Sequence, residues 1–278
     1  MIGVLYIDGV DVYSAYGVSV SDVAYDDLVC LPELKPIPFN DWHEKNGIEP
    51  DLSFPVIAAH DVTIPFHIVG EYGNYTAFIA AISDGSYHSF NFASIGLTKE
   101  LRLVHCGQPK SVQDLSSFSL TFSDDDPMKD YVYSAPSSKW EQLGDYLLDG
   151  VDLANYGIRV LRGSMDSIKQ QPDVKENLKR NISVSPGVIY DGEKVTYKSK
   201  TAQIRCLMRA ADADEFWRNR NALLYDLTKP GERVLTVTEL DKEIPCFYKG
   251  CSVQCFFPDN GKYWFEFTLS LEFFKGVI

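Results

Sequence analysis

The feature that most constrains this chain is an internal repeat. The segment Ile7–Val12 reads Ile-Asp-Gly-Val-Asp-Val and precedes Tyr16-Gly17. The segment Leu148–Leu153 reads Leu-Asp-Gly-Val-Asp-Leu and precedes Tyr156-Gly157, so the spacing is 141 residues at Asp-Gly and 140 at Tyr-Gly. Self-similarity at a fixed spacing is the signature of a repeated architecture. We therefore predict two copies of one small fold in tandem.

A second match at the same spacing falls in an alternating strand pattern. Apolar residues at every second position are typical of a strand with one buried face. A slip of one residue would turn the other face inward, so two strands in the same phase support each other. The two sets are Val62, Ile64, Phe66 and Ile68, and, 140 positions later, Ala202, Ile204, Cys206 and Met208.

Each copy is predicted to continue with a helix and to close with strands. Apolar residues at helical spacing form one stripe in each copy: Tyr75, Phe78, Ile79 and Ile82 in the first, and Phe216, Leu223, Leu224 and Leu227 in the second. Asp212 or Asp214 is a suitable N-cap for the second helix. The spacing grows to about 146 beyond the helices, so we expect the second to be about one turn longer. Alternation predicts the closing strands at Phe118–Phe122 and Phe265–Phe273.

These patterns predict a mostly-β fold, a β-sandwich or small barrel with one flanking helix in each copy. The first domain is placed at 1–130 and the second at 141–278, with a polar, proline-containing linker at 131–140. Two long segments, Pro32–Pro55 and Gly163–Gly187, lack a regular pattern. Loops of this length are functional or disordered, so they are expected to be arms that reach a neighbouring subunit or poorly ordered surface loops.

Charge and cysteine content limit the classes of partner. The net charge is −13, and we find no cluster of Lys and Arg of the kind that binds phosphates. An acidic surface repels nucleic acid and favours solubility. Six cysteines in a chain of 278 residues do not form the framework of a small disulfide-rich domain. Reduced thiols and a cytoplasmic compartment are expected.

The sequence offers little that points to catalysis. It lacks the nucleophile elbow, the P-loop and the dinucleotide-binding glycine motif. Asp8 and Asp149 each precede a glycine, and Asp-Gly is the usual dipeptide of a tight β-turn, so we interpret both as turn residues rather than acid–base groups. Neither the histidines nor Cys246, Cys251 and Cys255 have the spacing of zinc ligands. We expect no enzyme activity, no cofactor and no metal site.

The stretch Asn40–His43 is the candidate interface. Trp42 lies in a polar segment, where it would expose a large apolar surface. Tryptophans in such positions anchor interfaces, and equally fold back over their own core. The residues predicted to contact a neighbour are Trp42, Asn40, Asp41 and His43.

The order of Asp-Gly turn, long arm, strand, helix and closing strands resembles the tail-tube fold of long-tailed bacteriophages. The most similar members are the distal tail and baseplate-hub proteins. Asn40–Glu49 followed by the strand at Val62–Val69 looks like the arm-then-strand stretch of that family. The second copy departs from it, because Asn177–Asn181 lacks the Trp.

The resemblance implies a structural protein of a phage or prophage-derived tail. In that family, six such domains form a ring around a lumen through which DNA passes, without catalytic residues. The implied partners are further copies of the chain and other tail or baseplate proteins, with DNA only as passing cargo and no membrane. The implied location is the virion tail, with assembly in the bacterial cytoplasm.

Two assemblies and two other function classes stay open. Three chains supply six domains in one ring, or six chains make two stacked rings; either covers exposed strand edges. The main alternative function is a tandem β-sandwich that binds carbohydrate or mediates adhesion. Its platform would use exposed aromatics, for which the candidates are Tyr72, Tyr75, Tyr87 and Trp264. A β-barrel enzyme or small-molecule binder is the third hypothesis.

Overall fold

Two curled β-sheets account for most of the chain. The computed structural model describes residues 4–21, 25–69, 72–112, 115–176, 179–190, 195–259 and 261–276. We call residues 4–124 the first half and 145–276 the second half. The strands of the first half are β1 (Leu5–Ile7), β2 (Val10–Asp11), β3 (Val18–Val20), β4 (Phe39–Asn40), β5 (Glu49–Pro50), β6 (His60–Val69), β7 (Tyr87–Phe92), β8 (Leu97–Cys106), β9 (Lys110–Val112) and β10 (Leu115–Asp124).

The second half follows with a closely matching set of elements. Its strands are β11 (Tyr146–Leu148), β12 (Val151–Asp152), β13 (Ile158–Val160), β14 (Lys179–Asn181), β15 (Val188–Tyr190), β16 (Lys200–Ala210), β17 (Arg233–Val237), β18 (Lys242–Asp259) and β19 (Lys262–Phe273). The helices are α1 (Val12–Tyr16), α2 (Asp26–Val29), α3 (Tyr72–Ile82), α4 (Ser164–Lys169) and α5 (Ala213–Leu227), with short 3₁₀ turns at Ala93–Ile95, Leu153–Tyr156 and Thr238–Leu240.

The two sheets share one strand order. In the first half it is β2-β1-β7-β8-β10-β6-β3, with β9 paired to β10 off this path. In the second half it is β12-β11-β17-β18-β19-β16-β13. Every pair of neighbouring strands is antiparallel. The prediction of a mostly-β fold is confirmed.

The alternating strands bury the faces that the sequence predicts. Strand β6 pairs with β10 in one continuous register from Val69 opposite Leu115 to His60 opposite Asp124. Strand β16 pairs with β19 in the same way. Alternation places every second side chain on the core face. The predicted inward residues of β6 and β16, from Val62 to Ile68 and from Ala202 to Met208, are all at most 3% exposed.

One helix packs against each sheet. Helix α3 has 11 residues and α5 has 15, so the second is one turn longer, as expected from the spacing. Phe78 and Ile82 of α3 are buried. Asp212 caps α5 by accepting a hydrogen bond from the Glu215 N–H at 2.8 Å, so of the two predicted caps it is Asp212 that serves.

The two Asp-Gly pairs form tight hairpin turns, as predicted. Asp8 and Gly9 have φ of 50° and 81°, and Asp149 and Gly150 have 49° and 82°; two successive positive φ values define the turn that suits a two-residue hairpin. Each aspartate also accepts a hydrogen bond at 2.8 Å from a neighbouring strand, Asp8 from the Ser89 N–H and Asp149 from the Val234 N–H. Both carboxylates therefore have structural partners.

The segments expected to lack regular structure contain short elements. Pro32–Pro55 holds the hairpin β4–β5, and Gly163–Gly187 holds α4, β14 and the turn that leads to β15. Two or three paired residues per strand give too short an alternation to be recognised from sequence. The segment 131–140 has no helix or strand. It nevertheless contacts α5, because the Ser137 N–H donates to Asn219 Oδ1 at 2.9 Å and the Tyr133 ring lies 4.9 Å from that of Tyr225.

Candidate assembly interface

The hairpin of residues 39–50, which we call the first arm, is folded onto itself. Phe39 pairs with Pro50 and Asn40 with Glu49. The Trp42 indole N–H donates to Glu49 Oε2 at 2.8 Å, and the Lys45 ammonium donates to Glu49 Oε1 at 2.6 Å. These two hydrogen bonds, the Lys45 bond foremost, lower the pKa of Glu49. The arm is therefore a preformed hairpin whose strands and side chains are linked across its width.

The first arm lies on the second half of its own chain, over a buried lysine. The Lys175 side chain is 4% exposed. Its ammonium donates to Asp41 Oδ1 at 2.5 Å, to the Trp42 carbonyl at 2.9 Å and to the Gly47 carbonyl at 2.5 Å. A buried ammonium requires full hydrogen bonding. The arm supplies all three acceptors for this group.

Backbone contacts fix the tip of the arm. The Gly47 N–H donates to the Tyr197 carbonyl at 2.7 Å, and the Ile48 N–H donates to the Phe274 carbonyl at 2.8 Å. A Cβ added at Gly47 would lie 1.7 Å from the Phe274 oxygen. Only glycine permits so close an approach, and its φ of 68° independently favours glycine. We call Lys175, Thr196, Tyr197 and Phe274–Gly276 the Lys175 surface.

The four predicted interface residues lie at or near this contact. Asp41 contacts Lys175 through its carboxylate, and Trp42 through its backbone carbonyl. The His43 carbonyl accepts from Thr196 Oγ1 at 2.7 Å. Asn40 is exposed in β4. The Trp42 side chain is 47% exposed and bonded to Glu49, so it does not fold back into the core of its own half.

A second contact between the halves, which we call the seam, involves residues 29–31. These residues, at the C-terminal end of α2, present their carbonyls to the second half. Arg220 donates to the carbonyls of Val29, at 3.1 Å, and Cys30, and the Tyr248 hydroxyl donates to that of Leu31 at 3.0 Å. Val29 and Leu31 are at most 1% exposed. Burial lowers the pKa of Arg220. The seam combines apolar burial with charge-assisted hydrogen bonds.

The second half has a hairpin of the same kind at residues 179–190, which we call the second arm. Lys179 pairs with Tyr190, Arg180 with Ile189 and Asn181 with Val188. Its turn carries Gly187 at φ 80°. Around Gly187 an added Cβ would meet nothing within 4 Å. The second arm is thus a hairpin with an open tip.

The sequence singled out Asn40–His43 as a contact with a neighbouring subunit, but it did not point to the surface of the same chain that this stretch contacts. Lys175, Thr196 and Tyr197 lie more than 120 residues from the arm residues they contact. No local pattern marks such a contact. One signal was available: Lys35 and Lys175 occupy equivalent positions at the 140-residue spacing, and a lysine in both copies is a sign of a shared role.

His88 and the cysteines have structural roles in the described part of the chain. The pKa of His88 is raised: burial works against protonation, but hydrogen bonds to Asp8 and Asp84 outweigh it. The six cysteines are free thiols, and burial raises the pKa of Cys246 to about 12. Within the ranges that the structure describes, no three His, Cys, Asp or Glu side chains converge to hold a metal ion. The helices of those ranges include none long and apolar enough to cross a membrane.

The candidate sugar-binding aromatics do not form one platform. The Tyr75 hydroxyl donates to the Gly107 carbonyl at 3.1 Å, and the Tyr87 hydroxyl donates to Asp125 at 2.5 Å. Trp264 lies in the other half, with the Arg209 guanidinium 5.0 Å from its ring centroid. The side chain of Tyr72 lies outside the described residues. Each of the three described rings thus has a local partner.

Comparison with known proteins gives a similarity to a solved structure. No protein-family model matches the sequence, and no curated protein matches it. Among solved structures, the chain is similar to the SPP1 Dit (gp 19.1) protein, described as a paradigm of the hub adsorption apparatus in phages that infect Gram-positive bacteria. The alignment covers 98% of each chain at 8% sequence identity, with a TM-score of 0.32. A similarity of this level does not establish the family of the chain.

Proposed function

We propose that this chain is a structural component of the tail of a phage or prophage-derived particle, of the distal-tail or baseplate type. In this proposal it assembles into a ring around a lumen that conducts DNA, in contact with other tail proteins. It consists of two tandem copies of one fold, 1–130 and 141–278, joined by 131–140. The observation that carries the proposal is the different state of the two arms: the first arm is bound to the second half, whereas the matching second arm is open.

The shared strand order supports the tandem arrangement. Two sheets with the same seven-strand path and the same arm between the same strands are expected from duplication. A contact between two related halves is a heterologous contact, in which different surfaces meet. Such contacts repeat from subunit to subunit, and they close into rings when the rotation permits.

The absence of catalytic motifs and the acidic charge favour a structural role over an enzyme. Asp8 and Asp149 stabilise turns, and the buried cysteines behave as small apolar side chains. A net charge of −13 opposes tight binding to the phosphate backbone, as a conduit for DNA requires. The phage assignment itself rests on the resemblance of the arm-then-strand pattern. Free thiols are compatible with assembly in the host cytoplasm and a final place in the virion tail.

Negative-stain images of the concentrated protein test this proposal. Rings with a central hole are expected, and long duplex DNA at physiological salt should not be retained by the protein. Compact particles without a hole at every concentration, together with binding to a glycan array, would contradict it. That result would instead establish the carbohydrate-binding or adhesion module.

A further inference from the structure

The two arms are built to the same plan. Residues 140 apart occupy equivalent positions, and the turns close with matching hydrogen bonds: the Lys45 N–H donates to the Trp42 carbonyl at 3.2 Å, and the Ser185 N–H donates to the Ile182 carbonyl at 3.0 Å. Gly47 and Gly187 are equivalent as well, both with positive φ. What distinguishes the arms is therefore their surroundings and not their backbone.

Their surroundings differ sharply. Gly47 is buried at the centre of the contact with the second half, whereas Gly187 is exposed. The second arm also presents aliphatic side chains to solvent: Val184 is 91% exposed, Val188 51% and Ile189 61%. Three exposed aliphatics on one short hairpin gain free energy when another surface covers them.

The first half carries a surface equivalent to the Lys175 surface. An isolated bridge joins Leu34 to Ile57, as another joins Val174 to Tyr197. Beside these bridges the Lys35 N–H donates to the Val56 carbonyl at 2.8 Å, as the Lys175 N–H donates to that of Thr196 at 2.8 Å. His60 and Lys200 are equivalent at the 140-residue spacing, and they pair with Asp124 and Phe273. The residues that follow these partners, Asp125–Pro127 and Phe274–Gly276, are therefore equivalent as well.

This equivalent surface, Lys35, Val56, Ile57 and Asp125–Pro127, is open. We call it the Lys35 surface. Lys35 is exposed, and its ammonium has no hydrogen-bond partner among the described residues. Val56 is 50% exposed. By contrast, the equivalent Lys175 is buried under the first arm, and its ammonium donates hydrogen bonds to three acceptors.

Charge matches each arm to a different surface. The first arm carries Asp41, Glu44 and Glu49 against one basic residue, Lys45, and lies on a surface that contains Lys175 and Lys275. The second arm has two basic residues, Lys179 and Arg180, and no acidic one. On the Lys35 surface, the position of Lys275 is taken by the exposed Asp126, while its neighbour Asp125 is paired with Arg102. The acidic first arm thus meets Lys175 and Lys275, and the basic second arm would meet Asp126, which favours the correct pairing of arm and surface.

We propose that the second arm of one copy binds the Lys35 surface of a second copy of this chain. The Lys35 ammonium then donates to the Asn181 amide oxygen and to the carbonyls of Ile182 and Gly187, the counterparts of the three acceptors of Lys175. The inference rests on the proposed function in one respect, namely that copies assemble into a ring. Of the two assemblies stated above, it selects the single ring of three chains, because the contact between the two halves of each chain then repeats between chains.

The contact between chains is weaker than the contact within one. The seam positions Val29, Cys30 and Leu31 correspond to Lys169, Gln170 and Gln171 in the second half, and all three of the latter are exposed. Apolar burial thus supports only the internal seam, and the arm carries the contact between copies. Assembly is expected to depend on protein concentration.

Site-directed cross-linking tests this pairing. Thr196 Oγ1 lies 2.7 Å from the His43 carbonyl, and the equivalent pair across two copies is Val56 and Ser183. Val56→Cys and Ser183→Cys are made as separate proteins, each with Cys106→Ser to remove an exposed thiol. A short bis-maleimide should give a covalent dimer when the two proteins are mixed and none with either alone.

A matched control establishes that the reagent spans this contact. A single chain with His43→Cys and Thr196→Cys should cross-link internally, with a shift in gel mobility and no dimer. If the control cross-links and images show rings while the mixture gives no dimer, the arm pairing is wrong and the proposed ring stands. If neither rings nor a dimer form, both proposals fail together.

Discussion

The two arms of this chain are the same hairpin in two situations. The first is acidic, docked on the second half, and holds a buried lysine between Asp41 and two backbone carbonyls. The second is basic and open, and the lysine equivalent to Lys175 is exposed at Lys35. In the proposed duplication, an interface that is used once inside the chain leaves one arm and one arm-binding surface unused. The difference between the arms thus points to assembly.

The largest expected effect compares the cores of the two halves. Phe66 and Cys206 are equivalent, and both are fully buried. Phe66→Ala should lower the free energy of unfolding by about 3–5 kcal/mol, because it removes a large ring and leaves a cavity. Cys206→Ala removes one atom at the same place and should cost about 1 kcal/mol. Urea titrations followed by circular dichroism measure both; equal losses would mean that the Phe66 ring does not fill the core of the first half as described.

The next comparison isolates docking from backbone strain. Gly47→Ala and Gly187→Ala both place a side chain at positive φ, which costs about 1–2 kcal/mol in either arm. Only at Gly47 would the new Cβ collide with Phe274. Displacing the first arm should lower the free energy of unfolding by about 1–3 kcal/mol more, since the hydrogen bonds of Lys175 are then lost. The measurement is urea unfolding at a concentration low enough for single chains, and an equal loss in the two variants would argue against a docked first arm.

A third comparison exchanges the two equivalent lysines for methionine. Lys175→Met leaves the carbonyls of Trp42 and Gly47 without their donor and should cost roughly 1–3 kcal/mol; Asp41 is half exposed and adds little. Lys35→Met changes an exposed side chain and should stay within about 0.5 kcal/mol. Thermal unfolding of dilute protein gives both values. A large effect at Lys35 in single chains would show that this surface already has an internal partner.

The smallest effect is a difference in pH dependence. His88 and Arg233 are equivalent and pair with Asp8 and Asp149 at 2.6 Å. The raised pKa of His88 means that its contribution is complete below the unfolded value of about 6.5 and is lost as pH rises through the folded value. Arginine side chains in general do not titrate in this range. His88→Arg should therefore flatten the stability profile above pH ~6.5, and a profile unchanged from the original chain would exclude His88 as its source.

Much of each sheet could be predicted from the sequence, because alternation sets which side chains are buried. The buried faces of Val62–Ile68 and Ala202–Met208 show this. The growth of the repeat spacing also predicted that α5 is about one turn longer than α3. The long bent strand β18 was not predicted as one element. Register shifts at Tyr248/Gly250 and Val253/Cys255 break its alternation, as β-bulges do.

The Lys175 surface could not be predicted as the surface that the first arm contacts. Its contact with Lys175 joins residues more than 120 positions apart, and only tertiary packing brings them together. Gly47 illustrates the limit. Its glycine is equally explained by a turn at positive φ, and the close approach to Phe274 is visible only in three dimensions.

The measurement that tests the central claim most directly is the molar mass by light scattering across a concentration series. The original chain should rise from its single-chain mass of 31.3 kDa to three times that value. Lys35→Met, which removes the ammonium that would donate to the three acceptors of the second arm, should remain at the single-chain mass, while the exposed-lysine control Lys242→Met should assemble like the original. A mass that stays at one chain throughout, or an identical series for Lys35→Met, would contradict the repeated arm contact.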